Sequence, residues 1–258
     1  MSTILFHDII FGPIKSRRLG RSLGVNLLPR YGKVCNFDCV YCECGWNNDG
    51  RNDTELPSRE LVSQAMEDKL RTLNISGEKI DTITFSGNGE PTLHPDFSWI
   101  IDKTILLRDT YFPHTKISVL SNATNIGKEE IFKALQSIDN PILKIDSCDE
   151  DLIKLLNKPL KNYSLENVKD NIKKFNGNFI LQTMFLRGTI DGVKIDMTSQ
   201  ELVDGWLKLV RELKPREIMA YTIDRETPLQ GLQKVLPDEL HRLTTPLVDQ
   251  GYKVIISG

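Results

Sequence analysis

Only four histidines occur in the chain, His7, His94, His114 and His241, and they share no spacing that would let them grip one metal ion. None is placed as a catalytic base. No apolar run approaches the length of a membrane span, so no membrane contact is expected. Neither charge dominates: 33 basic and 35 acidic residues leave a net charge of −2, with no sign of a broad phosphate-neutralising surface. No internal repeat, low-complexity block or long linker divides the chain. The five cysteines are an odd count and no apolar leader precedes them, which argues against a disulfide framework and for a reducing cytoplasm.

What remains is an ordinary globular composition, 40% hydrophobic and 26% charged, over 258 residues. That length suits one substantial core, so residues 1–258 are expected to form a single domain, with its core at about 11–222 and a helix-and-strand extension at 223–258. Short β-rich runs at residues 22–28, 81–86, 116–121, 142–146, 179–185 and 217–222 alternate with helical patterns at 58–73, 97–107, 128–137, 165–175 and 200–213. In the last of these, Leu202, Val203, Trp206, Leu207 and Val210 recur at helical spacing. Residues 236–250 read as a final helix and 253–256 as a short apolar strand. Alternation of this kind predicts an α/β fold with a parallel sheet and right-handed crossovers. The chain is short for eight strand–helix units, so a partial, six-stranded (β/α)6 TIM-like barrel is expected, with chemistry at the C-terminal strand ends.

Most of the chemical signal lies in one loop, Lys33-Val-Cys-Asn-Phe-Asp-Cys-Val-Tyr-Cys-Glu-Cys-Gly. Three thiolates spaced C-x3-C-x2-C, Cys35, Cys39 and Cys42, can hold three corners of a cubane iron–sulfur cluster and leave the fourth iron open, where electron carriers supply four thiolates. The rival is structural zinc, with Cys44 as a fourth ligand.

Other suggestive residues stand at strand ends. After the second candidate strand comes Gly87-Asn-Gly-Glu-Pro-Thr-Leu-His-Pro, a turn whose backbone can approach a ligand closely, with Glu90 and nearby carbonyls as acceptors. Ser121 and Asn122 end the third strand, placed either to bond a ligand or to cap the next turn. Lys144 and Asp146 alternate with apolar neighbours on the fourth, so both face one way, as ligand partners or as a mutual salt bridge. Gln182 and Tyr221 on the fifth and sixth are candidates for lining a cavity, while Met184 and Met219 read as packing. Cys148 follows the fourth strand and is a candidate catalytic thiol, with small-residue packing the alternative. Arg17 and Arg18 are candidates for a phosphate contact or for solvated ion pairs. Asp224-Arg-Glu-Thr-Pro offers ionisable groups after the sixth strand.

With Tyr41 directly before the last cysteine, the loop resembles that of the radical S-adenosylmethionine (SAM) superfamily. The stretches Phe11-Gly-Pro-Ile-Lys-Ser-Arg-Arg-Leu-Gly-Arg-Ser-Leu-Gly-Val-Asn-Leu-Leu-Pro and Phe85-Ser-Gly-Asn-Gly-Glu-Pro-Thr-Leu-His-Pro are similar to the group related to tRNA wyosine-base (4-demethylwyosine) synthases. The resemblance covers about residues 11–221. It implies a [4Fe-4S] cluster on Cys35, Cys39 and Cys42, and SAM bound near Tyr41, Gly87, Asn88, Gly89, Glu90, Ser121, Asn122, Lys144, Asp146, Gln182 and Tyr221. Asn88 stands where the family's glycine–glutamate motif more often has a second glycine. It also implies an electron from flavodoxin or ferredoxin, and reductive cleavage of SAM to methionine and a 5′-deoxyadenosyl radical that takes hydrogen from a small molecule or modified nucleoside, tRNA among the options. The synthases of that group carry cysteines for a second cluster before this motif, and no cysteine precedes Cys35. An activase that installs a glycyl radical on a partner enzyme is a second implied reading.

Overall fold

A computed structural model describes residues 4–50 and 52–258. In chain order it runs β1 (Ile10–Ser16), β2 (Gly20–Val25), α1 (Arg59–Ser76), β3 (Thr82–Phe85), α2 (Phe97–Tyr111), β4 (Lys116–Ser121) and α3 (Glu129–Gln136). There follow β5 (Asn140–Lys144), α4 (Glu150–Asn157), α5 (Leu165–Lys173), β6 (Ile180–Ile190), β7 (Val193–Asp196) and α6 (Gln200–Leu213). The chain closes with β8 (Glu217–Thr222), β9 (Gln233–Lys234), α7 (Pro237–Val248) and β10 (Lys253–Ser257).

The sheet order is β1-β2-β3-β4-β5-β6-β8-β10. From β2 to β10 every neighbouring pair on this path is parallel, and β1 folds back antiparallel on β2. This is a curled partial barrel of the expected α/β class, with two additions. All six expected strands are present, and the apolar segment read as an extension joins as a seventh parallel strand, in register from Lys253 opposite Glu217 to Ser257 opposite Tyr221. β1 is the eighth. Beyond Phe185, β6 leaves the sheet and pairs antiparallel with β7 and β9.

Alternation along the strands separates two faces. Ile83, Phe85, Ile117, Val119, Leu143, Leu181 and Ile218 are buried in the large core shared with the helices. On α6, Trp206 crosses Phe185 edge-on at 5.2 Å and donates its indole N–H to Thr183 at 3.0 Å. The inner face is different. Ser22, Thr82, Thr84, Ser118 and Asn140 hydrogen-bond to one another there. A separate small cluster of Ile142, Ile180 and Met219, with Leu19, Leu120 and Ile255 against it, lies on the same face.

Helix ends follow local chemistry. Ser58 caps α1 by accepting the Leu61 N–H, and Gly77 ends it in the left-handed conformation at φ +71°. Asp149 caps α4 by accepting the N–H groups of Asp151 and Leu152. Among the described residues no helix is long and apolar enough to cross a membrane.

Candidate functional site

Val34 joins the cysteine loop to the glycine turn after β3. Its N–H donates to the Asn88 carbonyl at 3.0 Å, and its carbonyl accepts the Glu90 N–H at 3.1 Å. The two segments therefore run as a short parallel bridge between Val34 and Gly89. Only glycine allows it. Gly89 has φ +132°, and a Cβ there would lie 1.9 Å from the Val34 carbonyl oxygen.

The end of α4 holds the other side of the loop: the Val40 N–H donates to Leu156 at 2.9 Å and the Asp38 N–H to Asn157 at 2.8 Å. Inside the loop, Asn47 donates to the carbonyls of Cys35 and Phe37 at 3.2 and 3.0 Å. Lys33, with 1% of its side chain exposed, donates to the Gly45 carbonyl at 2.8 Å and pairs with Asp38 at 3.2 Å. Burial opposes its charge, but attraction from Cys42, Cys35, Cys39 and Asp38 outweighs burial and raises its pKa. One buried ammonium thus lies within electrostatic reach of all three expected cluster thiols.

The thiols differ. Burial, then the neighbouring Cys39 and Glu90, pushes Cys35 up, and burial does the same to Cys39 despite Lys144. Cys42 is drawn down, first by its hydrogen bond with Cys44. Cys35 Sγ accepts the Phe37 N–H at 3.4 Å and the Asn122 amide at 3.8 Å. Cys39 Sγ accepts from Asn157 at 3.5 Å and from Lys144 at 3.6 Å. Sulfur acceptors surrounded by N–H donors beside two lysines suit thiolates bound to iron, whose charge would displace the protons that burial retains. The residues present therefore fit a cluster. Among the described residues no three or more His, Cys, Asp or Glu side chains form a group that could hold a metal ion as placed, and the Cys44 thiol donates to the Gly87 carbonyl at 3.3 Å.

Glu90 is 2% exposed. Its Oε1 accepts from the Thr92 N–H, the Thr92 hydroxyl and the Ser121 hydroxyl at 3.2, 2.6 and 2.9 Å, and Oε2 accepts the Asn122 N–H at 2.7 Å. A carboxylate offers about four acceptor directions, so Oε2 retains one. Ser121 thus supports Glu90. Asn122 links Glu90, Cys35 and Asn36, the last at 2.6 Å.

Asp146 is likewise a hub. It accepts from the Tyr41 hydroxyl, from Asn157 at 2.8 Å and from the Met184 N–H at 3.2 Å, and it pairs with Lys144 at 3.0 Å. Of its expected roles, the structure displays the lysine partner. Lys144 also lies 5.2 Å from the Phe37 ring centre and 5.3 Å from that of Tyr41. Gln182 stands in register between Lys144 and Met219, and Tyr221 between Met184 and Ser257.

Two of the expected site residues turn their side chains to other partners. Asn88 does not offer its side chain to the site: Oδ1 accepts the Phe6 N–H at 2.8 Å, and Nδ2 donates to the carbonyls of Phe6 and Pro29 at 2.9 and 2.7 Å. It fastens the chain before β1 to the glycine turn. Cys148 faces α6, where a Cβ on Gly205 would lie 2.2 Å from its sulfur, so it packs against that helix, the alternative reading of this thiol. Asp224 and Arg225 form surface pairs with Arg17 and Glu43. Lys33, Asn36, Thr92 and Asn157 were not anticipated. Lys33 had one available signal, a cation two residues before the first cysteine.

Residues 30–199 match the Radical SAM superfamily. A UPF0026 protein of Methanocaldococcus jannaschii is 33% identical over 214 residues, 81% of this chain and 61% of that protein, so the chain spans about three-fifths of this relative's length. A UPF0026 protein of Helicobacter pylori is 28% identical over 235 residues, 90% of this chain and 71% of its own. The crystal structure of Streptococcus suis SuiB bound to S-adenosylmethionine has a TM-score of 0.64 at 17% identity, covering 88% of this chain and 49% of that one, a likeness of fold. With two-thirds of its length matched, cysteine loop and glycine turn included, the chain belongs to the radical SAM superfamily, enzymes whose cofactors are a [4Fe-4S] cluster and SAM.

Proposed function

We propose that this chain carries out radical SAM chemistry on a small molecule or a modified nucleoside. The observation that carries this reading is the Val34 junction, which docks a C-x3-C-x2-C loop directly on the glycine turn at the strand ends. Cys35, Cys39 and Cys42 are the cluster ligands, with Lys33 balancing their charge. When bound, the cluster and SAM supply a 5′-deoxyadenosyl radical that abstracts hydrogen from the substrate.

The chain's own groups bind and orient. The remaining acceptor direction on Glu90 Oε2, with carbonyls of the glycine turn, suits the ammonium of the methionine moiety. Lys144, beside Cys39 and Tyr41, suits its carboxylate. Tyr41, Ser121, Asn122 and Asp146 hold these two groups in place, and Gln182 and Tyr221 line the space next to them. The buried inner face excludes water from reactive species.

Two further parts of the reading rest on chemistry outside the chain. The electron comes from a low-potential flavodoxin or ferredoxin, and an oxygen-sensitive cluster suits the cytoplasm. The motif beginning at Phe11 resembles that of the wyosine-related group, which keeps a tRNA nucleoside among the substrates.

Anaerobic reconstitution tests the proposal. The protein should turn brown with about four irons and four sulfides per chain, and with dithionite and SAM it should release methionine and 5′-deoxyadenosine. A colourless protein, or an iron-loaded one that leaves SAM intact, would end it.

A further inference from the structure

Lys33 is held inside the cysteine loop from both ends. Its neighbour Val34 is fixed to the glycine turn through the Asn88 carbonyl and the Glu90 N–H. At the tip of the side chain, the ammonium donates to the Gly45 carbonyl at 2.8 Å and pairs with Asp38 at 3.2 Å. The Gly45 N–H donates in turn to the Cys42 carbonyl at 3.0 Å. The stem therefore crosses the loop, from before the first cysteine to the turn after the third. With 1% of the side chain exposed, water does little to solvate the charge.

A buried ammonium works against folding unless anions lie close to it. Asp38 is one such anion, yet it is turned partly to water. Its Oδ1 also accepts the Asn47 N–H at 2.8 Å, and 19% of its side chain is exposed. The Lys33 charge stands among the leading influences on Cys35, Cys39 and Cys42 alike, and that of Asp38 does not. Cys42 also takes a hydrogen bond from Lys33. Lys144 acts on Cys39 as well, but its partner Asp146 opposes it at the same sulfur. Lys33 is thus the cation that the three sulfurs share.

This placement bears on the arrival of an electron. Three thiolates outweigh the charge of an oxidised cubane core, so the centre is anionic before reduction and more so after it. A fixed cation close by offsets the cost of that added charge, and local charge is among the factors that set an iron–sulfur potential. Burial keeps salt from screening it.

We propose that the Lys33 ammonium raises the reduction potential of the cluster held by Cys35, Cys39 and Cys42, with Asp38 as the counterweight that limits the rise. The proposal rests on the cluster reading of these cysteines. One electron passes from the donor to the cluster, and no bond or proton is exchanged at Lys33. Its action runs through the ligands, and it decides how strong a reductant the donor must be.

Redox titration of the anaerobically reconstituted 258-residue chain, without SAM and followed by the electron-spin resonance of the reduced cluster, tests this. Lys33→Gln keeps an N–H for Gly45 and loses the charge. At a fixed ambient potential its ratio of reduced to oxidised cluster should fall about tenfold, a midpoint about 59 mV lower for a one-electron couple. Asp38→Asn keeps an acceptor for Lys33 and Asn47 and removes the opposing charge, so its midpoint should move upward. Lys161 is exposed beside the loop, next to Leu160, whose N–H donates to the Asn36 carbonyl at 3.0 Å. Lys161→Met should leave the midpoint in place. Opposite signs in the first two variants exclude a merely structural role, because a loosened loop would move both alike. An unshifted midpoint in Lys33→Gln, an unshifted or lower one in Asp38→Asn, or an equal fall in Lys161→Met would each overturn the proposal. If Lys33→Gln takes up no cluster, Asp38→Asn decides. A wild-type chain that takes up no iron would end this proposal together with the radical SAM reading. A loaded chain that leaves SAM intact would end that reading alone and leave the potentials as they stand.

Discussion

Lys144 and Asp146, two positions apart at the end of β5, form an ion pair of 3.0 Å with side-chain exposures of 13% and 0%. Removing the ammonium leaves a carboxylate buried among the Tyr41 hydroxyl, the Asn157 amide and the Met184 N–H. Lys144→Met should therefore cost about 3 kcal/mol of stability, and Lys144→Met with Asp146→Asn should recover part of it. Urea unfolding of the two proteins checks this; equal midpoints in both variants and wild type would show that the pair contributes little. SAM titration on the reconstituted protein separates the second role, because loss of a charge-assisted contact should weaken binding about ten- to a hundredfold.

The cysteines make a contrast within one loop. Cys39→Ala should lose the cluster and SAM cleavage, since two thiolates hold a cubane poorly. Cys44→Ala removes a weak S–H donor to the Gly87 carbonyl and the hydrogen bond to Cys42, a contact that iron ligation replaces, and should keep iron content and 5′-deoxyadenosine yield. Iron and sulfide analysis after anaerobic reconstitution is the measurement. Iron retained in Cys39→Ala, or lost in Cys44→Ala, would mean that a different set of sulfurs binds.

Gly89→Ala is the most economical test of the Val34 junction. The added methyl would meet the Val34 carbonyl at 1.9 Å, at a backbone angle that alanine resists. The bridge must open, which should lower stability by about 2–4 kcal/mol and reduce cluster retention although no cysteine has changed. A variant with wild-type iron content and an unchanged unfolding midpoint would show that the cysteine loop holds its position without the glycine turn.

Parallel strands were legible because each is a short buried run bounded by turn residues. β1 was not, because Gly12 and Pro13 interrupt it and its register shifts between Phe11 and Ile14. α4 was hidden behind Asp149-Glu150-Asp151, which reads as a polar strand end although Asp149 is the helix cap. In the site, local spacing revealed what one loop or turn supplies: three cysteines and Glu90. It could not reveal partners brought from afar. Asn157 reaches Cys39 across 118 positions, and Arg18 meets Tyr221 through the fold of a hairpin turn. Asn88 misled because its place in the motif fixes its backbone, while its side chain answers to Phe6 and Pro29.

Away from the site, Arg187 ties β6 to β7 and α7. It bonds Asp196 at 2.9 Å and grips both oxygens of Glu239, one of them at 3.1 Å. Chiefly through that hydrogen bond, with burial opposing, the Glu239 carboxyl is held below its ordinary value of 4.5. A depressed carboxylate pKa means that the folded state favours the charged form. Its stabilisation is fully present above the unfolded value and disappears as pH falls through the folded one. Glu239→Gln should thus lower stability by about 1 kcal/mol at neutral pH, a modest figure for a pair that solvent still reaches. Because the glutamine does not titrate, the gap between the two proteins should narrow below about pH 4.5 and close in stronger acid. Unfolding midpoints measured across that range check both the size and the sign. A gap that stays constant into acid would mean that the substitution loses packing alone, with the carboxylate's charge contributing nothing to the clamp.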